Sequence, residues 1–244
     1  MNSNAYLVID IGNTAQKVAV FDEAGNQLTW LRQPVIGVAD LEAVLQEYQV
    51  KAALVSSVGE TPATLEEFLQ QRVCTLKLSP QLQLPVRLAY ATPKTLGTDR
   101  IACAVGAHAL YPMDNVLAIQ AGSCLVTDLV TAKGDYLGGT IAPGLRMRLR
   151  ALEHFTARLP LLEPTPVDYL VGDTTEKSIL SGVVNGLVGE IEGMICRYQA
   201  QFSPLKVVLT GGDAPLLSNS LKNSIFAAPN LVLLGLYKIL RFNV

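Results

Sequence analysis

The chain opens on an apolar run, Tyr6-Leu7-Val8-Ile9, that delivers one carboxylate, Asp10, to the pair Gly12-Asn13. A second apolar run, Val18-Ala19-Val20-Phe21, leads away from that pair. Two such runs around a Gly-Asn turn predict a hairpin with strands at 6–10 and 16–21. Glu23-Ala24-Gly25-Asn26 then turns into a third strand over 27–32. Residues 41–48 carry apolar positions at helical spacing, and 52–56 read as a short buried strand. Thr61-Pro62 opens a further helix through residue 69, with Thr61 as N-cap and Pro62 at the first helical position. Residues 79–95, rich in proline and polar groups, predict a loop or a short strand. Gly97-Thr98-Asp99-Arg100 then heads an alanine-rich helix over 101–110.

The same scheme follows a second time. A hairpin spans 116–130, Lys133-Gly134-Asp135 makes a turn, and a strand runs over 136–141. A long helix covers 175–201. A buried strand at 206–210 is closed by Gly211-Gly212-Asp213-Ala214, and a last apolar segment runs from 230 to 240. Leu117-Ala118-Ile119-Gln120-Ala121-Gly122-Ser123 repeats the opening at an offset of 110 residues (120 − 10), until one residue is lost before Gly134. Gly122 then matches Gly12, Ser123 matches Asn13, and the counterpart of Asp10 is Gln120. Three strands, a helix, a strand and a helix, present twice, outline a mixed α/β protein: a duplicated ribonuclease H-like (actin-like ATPase) fold. Two similar domains, 1–112 and 113–244, are expected around a nucleotide cleft.

Composition narrows the partners. Half of the 244 residues are apolar and 16% are charged, enough for a packed core and unlike a disordered chain. A net charge of −2 with scattered lysines and arginines argues against nucleic acid or an anionic membrane as main partner. The four cysteines form no CxxC pair, so buried reduced thiols are expected rather than disulfides or a metal site. His108 and His154 have no ligand partner at i+4, which makes zinc chemistry and a Ser-His-Asp triad poor candidates. Asp10 interrupts the first apolar run, so no signal segment is expected. Pro112, Asp114 and Asn115 break the weakly charged region 101–127 below the ~20 apolar residues of a membrane span. A soluble, cytoplasmic protein is expected. Neither GxxxxGK[ST] nor a strand-borne GxGxxG occurs, against a P-loop or a dinucleotide fold.

The turns carry the candidate chemistry. Gly12 would let backbone approach a phosphate, and successive turn amides can form an anion-binding concavity. Asp10 could hold Mg²⁺ directly or through water, and Asn13, Thr14 and Lys17 would offer donors to phosphate oxygens. An ordinary hairpin is the alternative; the repeat at Gly122-Ser123 favours the phosphate reading. Gly211-Gly212 would let a flat adenine lie against backbone, or simply form a strand-to-helix loop capped by Asp213. Asp99 is either a helix cap or a general base for a substrate hydroxyl, with Arg100 beside it for a carboxylate or phosphoryl oxygen. Gly138-Gly139 to Pro143-Gly144 reads as a glycine-hinged turn, structural or ligand-lining. Met147, Leu149 and Leu152 suggest a helix face for the core or a subunit contact. Gly182, Gly186 and Gly189 suggest close helix packing.

In this order and spacing, Asp10–Thr14, Gly97–Arg100, Ala121–Asp128, Gly138–Leu145 and Thr210–Ala214 resemble the type III pantothenate kinases over nearly the whole chain. The resemblance implies ATP-dependent phosphorylation of pantothenate to 4′-phosphopantothenate, the first step of coenzyme A biosynthesis. It implies an ATP and Mg²⁺ site made of Asp10, Ile11, Gly12, Asn13, Thr14 and Lys17 with Gly122, Ser123, Gly211 and Gly212. It makes Asp99 the proton acceptor, and it puts Tyr90, Gly97, Thr98, Asp99, Arg100 and Thr175 on pantothenate. It further implies a homodimer whose neighbouring subunit completes the substrate pocket. The departure is Gln120, where the family has an aspartate that binds K⁺ or NH₄⁺. Weaker dependence on that cation is expected, unless Asp128 faces the cleft, which strand alternation allows. The change leaves a second reading, a non-catalytic kinase-like regulator or binding protein, against which the intact Asp10 and Asp99 stand. Another small-molecule kinase or a phosphatase on the same fold is a third.

Overall fold

In the first unit of the fold, β1 (Ala5–Ile11) is buried along its whole length, and for that reason its sequence is an unbroken apolar run rather than an alternation. The computed structural model describes residues 4–12, 14–57, 59, 62–79, 81–222 and 225–244. Around β1 lie β2 (Gln16–Asp22), β3 (Gln27–Gln33), β4 (Val50–Ser57) and β5 (Cys74–Lys77), in the order β3-β2-β1-β4-β5. β1 pairs antiparallel with β2 and parallel with β4. On one face Leu7, Ile9, Val18, Val20, Ala53 and Val55 pack with Leu41 of α1 (Val38–Glu47) and with Leu65, Phe68 and Leu69 of α2 (Ala63–Gln70). Pro62 takes the N-cap position of α2 rather than its first helical position, and Thr61 lies outside the described residues. The half-exposed edge strand β5 went unread because four residues carry too little pattern. Region 79–95 holds a two-residue strand β6 (Arg87–Leu88) and a 3₁₀ turn at Pro93–Thr95.

The second unit contains β7 (Asn115–Ala121), β8 (Cys124–Val130), β9 (Asp135–Pro143), β10 (Leu205–Thr210) and β11 (Phe226–Ala227). Its strands follow the order β11-β10-β7-β8-β9. β7 pairs antiparallel with β8 and parallel with β10. Read from the far edge, this is the order and polarity of the first sheet. The duplication therefore extends to topology. It also locates the lost residue: Ile11 faces Gln16 across the first hairpin, whereas Ala121 faces Leu125 across the second. Gly25 and Gly134, at φ of 92° and 77°, then make matching left-handed turns.

Two expectations for the second unit change. Gly138 to Pro143 is not a hinge; it continues β9, because Gly139 lies against the backbone of Thr127, where a Cβ would come within 1.8 Å of the carbonyl oxygen. After α4 (Leu145–His154), the long helix α5 (Thr175–Gln201) is long and apolar enough to cross a membrane by length and composition. Ile179, Val183, Val184, Leu187, Val188, Ile191 and Ile195 nevertheless build the core of this unit. Its glycines do not mediate close packing within the chain: a Cβ at Gly182, Gly186, Gly189 or Gly193 meets nothing within 4 Å. Of the four free cysteines only Cys103 is buried, while Cys74 and Cys196 are exposed.

The last helix, α7 (Leu231–Asn243), follows the second unit in sequence but belongs to the first, which comprises residues through Leu110 together with Asn230–Val244. The sequence expectation carried these residues in the second half. What draws the helix back is a close crossing with α3 (Thr98–Leu110). A Cβ at Gly235 would sit 1.7 Å from the carbonyl oxygen of Ala102, and one at Gly106 would sit 2.3 Å from that of Leu231. Tyr237 of α7 stacks on Phe21 and donates to the carbonyl of Asp22 at 3.0 Å. Gly235→Ala is expected to destabilise the protein by about 3 kcal/mol or more, since backbone rather than a flexible side chain must give way. A urea denaturation midpoint measures it.

Candidate active site

In the first unit the chemistry gathers at the end of β1. Asp10 is 7% exposed, lies across from Lys17 on β2 and Ser56 on β4, and its Oδ1 is buried without a hydrogen-bond partner. Burial lifts its pKa from 3.8 to about 6; Lys17 opposes the shift and Asp99 adds to it. An orphaned, poorly solvated carboxylate oxygen facing a second acid fits a cation. Ile11 ends the strand, and at Gly12 a Cβ would press on the Ala15 carbonyl at 3.0 Å. Thr14 is exposed in the bend that follows, and Asn13 lies outside the described residues.

The second acid comes from the head of α3. Gly97 accepts the amide of Ile101 at 3.2 Å, so Thr98, Asp99 and Arg100 form the first helical turn. The Asp99 carboxylate folds back over Gly97, where a Cβ would come within 2.6 Å of its Oδ1. Glycine at this position therefore leaves room for the acid. Arg100 is buried, and its guanidinium lies 5.8 Å from the ring centroid of Tyr90, a cation–π contact between two residues named from the sequence.

In the second unit the equivalent strand end carries Gln120, across from Val126 and Thr210. Its Oε1 is also buried without a partner. Asp128 shares the face of Gln120 but is 1% exposed and accepts the Tyr136 hydroxyl at 2.7 Å. Its carboxylate is thus buried and bonded within the unit. Backbone crowds the turn at Gly122-Ser123 from both sides. Gly144 donates to the Ser123 carbonyl at 3.2 Å, and a Cβ on it would meet the Gly122 carbonyl at 2.1 Å. Gly211, at φ of 103°, presses on Ala121, and the Asp213 amide donates to the Ala121 carbonyl at 3.0 Å. Asp213 is the N-cap residue of α6 (Ala214–Ser218), yet its side chain makes no cap bond. It takes Arg146 at 2.9 Å instead. That pair ties the 144–146 segment to the Gly211-Gly212 turn. Sequence reading missed it because the partners lie far apart in the chain. Thr175 is exposed in the first turn of α5, next to the N-cap Thr174.

A model of the family described as "Type III pantothenate kinase" matches residues 6–197. The chain belongs to the type III pantothenate kinases. A relative of that name from Christiangramia forsetii is 45% identical over 97% of this chain and 98% of its own. Another, from Cytophaga hutchinsonii, is 41% identical over 98% and 99%. Among solved structures, a ROK family glucokinase from Streptomyces griseus in complex with glucose and AMPPNP aligns at TM-score 0.53 and 12% identity, covering 98% of this chain and 99% of that one. The (R)-2-hydroxyglutaryl-CoA dehydratase component A from Acidaminococcus fermentans aligns at 0.52 and 14%, covering 99% and 98%. These likenesses show the actin-like ATPase and sugar kinase fold, the duplicated ribonuclease H-like architecture expected from the repeat.

The buried Asp10 makes stability depend on pH in this family member. A carboxyl whose pKa is raised by folding holds its proton more tightly folded than unfolded. Its ionisation therefore removes stability as pH rises from the ordinary carboxylate range through 6. The displacement from 3.8 to about 6 corresponds to roughly 3 kcal/mol. In Mg²⁺-free buffer, Asp10→Asn is expected to be more stable than the parent at pH 8 by up to that amount. The advantage should vanish near pH 4, and urea melts at the two pH values read it.

Proposed function

We propose that Asp10, Asp99 and the glycine turns of both units carry the reaction of this family. The chain is an enzyme that uses ATP to phosphorylate pantothenate to 4′-phosphopantothenate, the first step of coenzyme A biosynthesis. The observation that carries the assignment of roles is the pair of acids in the first unit: a buried Asp10 with an orphaned oxygen, and an Asp99 close enough to raise its pKa.

In this reading Asp10 holds Mg²⁺, directly or through water, and Lys17 and the turn Ile11-Gly12-Asn13-Thr14 take phosphate oxygens. Bound there, Mg²⁺ would supply neutralisation of the phosphate charge. On the second unit Gly122-Ser123 serve the phosphates, and Gly211-Gly212 lie against the adenosine. Pantothenate is held by Tyr90, Gly97, Thr98, Arg100 and Thr175, with the fixed guanidinium of Arg100 suited to its carboxylate. Asp99 accepts the proton of the primary hydroxyl as that oxygen bonds to the γ-phosphorus and ADP departs. Most of the rate comes from positioning and charge neutralisation.

The finer points follow the same logic. The buried, partnerless Gln120 oxygen can coordinate K⁺ or NH₄⁺ but brings no charge, so activation by that cation is weak. We assign a homodimer, formed through the second unit. Its surface exposes Ile141, Met147, Phe155, Leu161, Leu170 and Val171, and α5 presents Gly182, Gly186, Gly189 and Gly193 with open space above them. Exposed apolar groups beside a smooth helix face favour a protein partner. We place the protein in the cytoplasm, with no nucleic acid or membrane partner.

Asp99→Asn should lower pantothenate-dependent ADP release at least a thousandfold while leaving the circular dichroism melt within about 5 °C of the parent; near-parent turnover would remove Asp99 from the role of base. Gln120→Asp should raise the activation by K⁺ over Na⁺ several-fold above that of the parent. Equal rates in the two salts for that variant would show the position to be unrelated to the cation.

A further inference from the structure

The hydroxyl of Ser56 lies outside every role given so far. Ser56 is fully buried near the end of β4, in register with Asp10 on the neighbouring parallel strand. Its Oγ donates to Oγ1 of Thr98 at 3.1 Å, and Thr98 Oγ1 donates to the Ser57 carbonyl at 3.2 Å. The Thr98 proton is committed to Ser57, so its lone pair is what Ser56 finds, and the direction of the relay is set. The relay joins the strand beside one acid to the residue next to the other.

The equivalent strand position of the second unit also carries a buried hydroxyl. Thr210, the partner of Gln120 on β10, is also buried, and it donates to the carbonyl of Pro229 at 3.4 Å, just before the N-cap residue Asn230 of α7. In each unit a buried hydroxyl at this strand position bonds a neighbouring segment of its own unit: Ser56 bonds Thr98 at the head of α3, and Thr210 bonds the loop carbonyl of Pro229. Only the segment held by Ser56 carries an acid, since α3 begins Thr98-Asp99-Arg100.

We propose that Ser56 is a positioning residue that, through Thr98, holds the Asp99 carboxylate at its working place relative to Asp10. The inference rests on the assignment of Asp99 as base. Two features give it force. The Asp99 carboxylate has no room to retreat without Gly97, and its distance from Asp10 decides whether it meets a hydroxyl beside the phosphates. Misplacement of a reacting group by about 1 Å costs on the order of a hundredfold in rate.

A double-mutant cycle with full steady-state kinetics tests it, using Ser56→Ala, Asp99→Asn and their combination. Ser56→Ala should lower kcat with pantothenate by 10- to 100-fold, leave the KM for ATP within twofold, and cause no further loss in the residual turnover of Asp99→Asn. A merely structural hydroxyl would instead lower both backgrounds by the same factor. That result, or a kcat for Ser56→Ala within twofold of the parent, would overturn the proposal while leaving Asp99 in place. Near-parent turnover by Asp99→Asn would overturn the base assignment and this inference with it. Should Ser56→Ala fail to fold, Ser56→Cys keeps the side chain close to its size while replacing the hydroxyl with a weak donor, and it enters the cycle with the same expectations.

Discussion

The crossing of α3 and α7 sets the first unit. Gly235 and Gly106 bring the two helix backbones to a separation that excludes any side chain between them. Helices usually meet through side chains at axial separations of about 8–10 Å, and such contacts can slide as rotamers change. A backbone contact cannot, and the register of α3 follows from it. Tyr237 and Arg241 extend the constraint along α7. The tyrosine is stacked on Phe21 and bonded to the β2–β3 turn, while Arg241 donates to the hydroxyl of Tyr6 with its guanidinium 4.4 Å from that ring. The helix whose first turn bears Asp99 is thus fixed from its flank by α7 and at its head by Thr98.

Against that rigid frame the protein keeps one electrostatically unfavourable group. Asp10 is desolvated, has an oxygen without a partner and faces a second acid. A packed core has no use for such a group, and Asn or Ser would satisfy the strand end at lower cost. The role proposed for Asp10 accounts for its presence, since a cation bound there would replace the missing hydration. Gln120, its counterpart, keeps the orphaned oxygen but loses the charge. The two halves have therefore diverged in electrostatics while retaining the same strand order and a buried hydroxyl at the strand end.

Much of this was legible along the chain. Buried central strands announce themselves as unbroken apolar runs, and a repeat offset that holds across a hairpin exposes a duplication. Asp10, Asp99 and the glycine turns stand out because a charged or flexible residue is conspicuous beside apolar runs. What stayed hidden was either short or nonlocal. β5 is too brief to show a period, β9 absorbs glycines that read as a hinge, and Asp128 turned out to serve Tyr136 in the core. The roles of Ser56, Arg146 and Gly235 depend on partners 42, 67 and more than 130 residues away, and no local pattern marks them.

The sequence by itself determined the longer buried strands, the doubling of the unit, the family and the residue types brought to each turn, because periodicity and turn chemistry act over a few neighbouring residues. Tertiary structure alone decided which unit takes the last helix, that Asp10 lies near Asp99, that its pKa rises to about 6, and that a serine hydroxyl reaches the helix bearing Asp99. Those outcomes arise from desolvation and close packing, which depend on distances through space that the order of residues does not state.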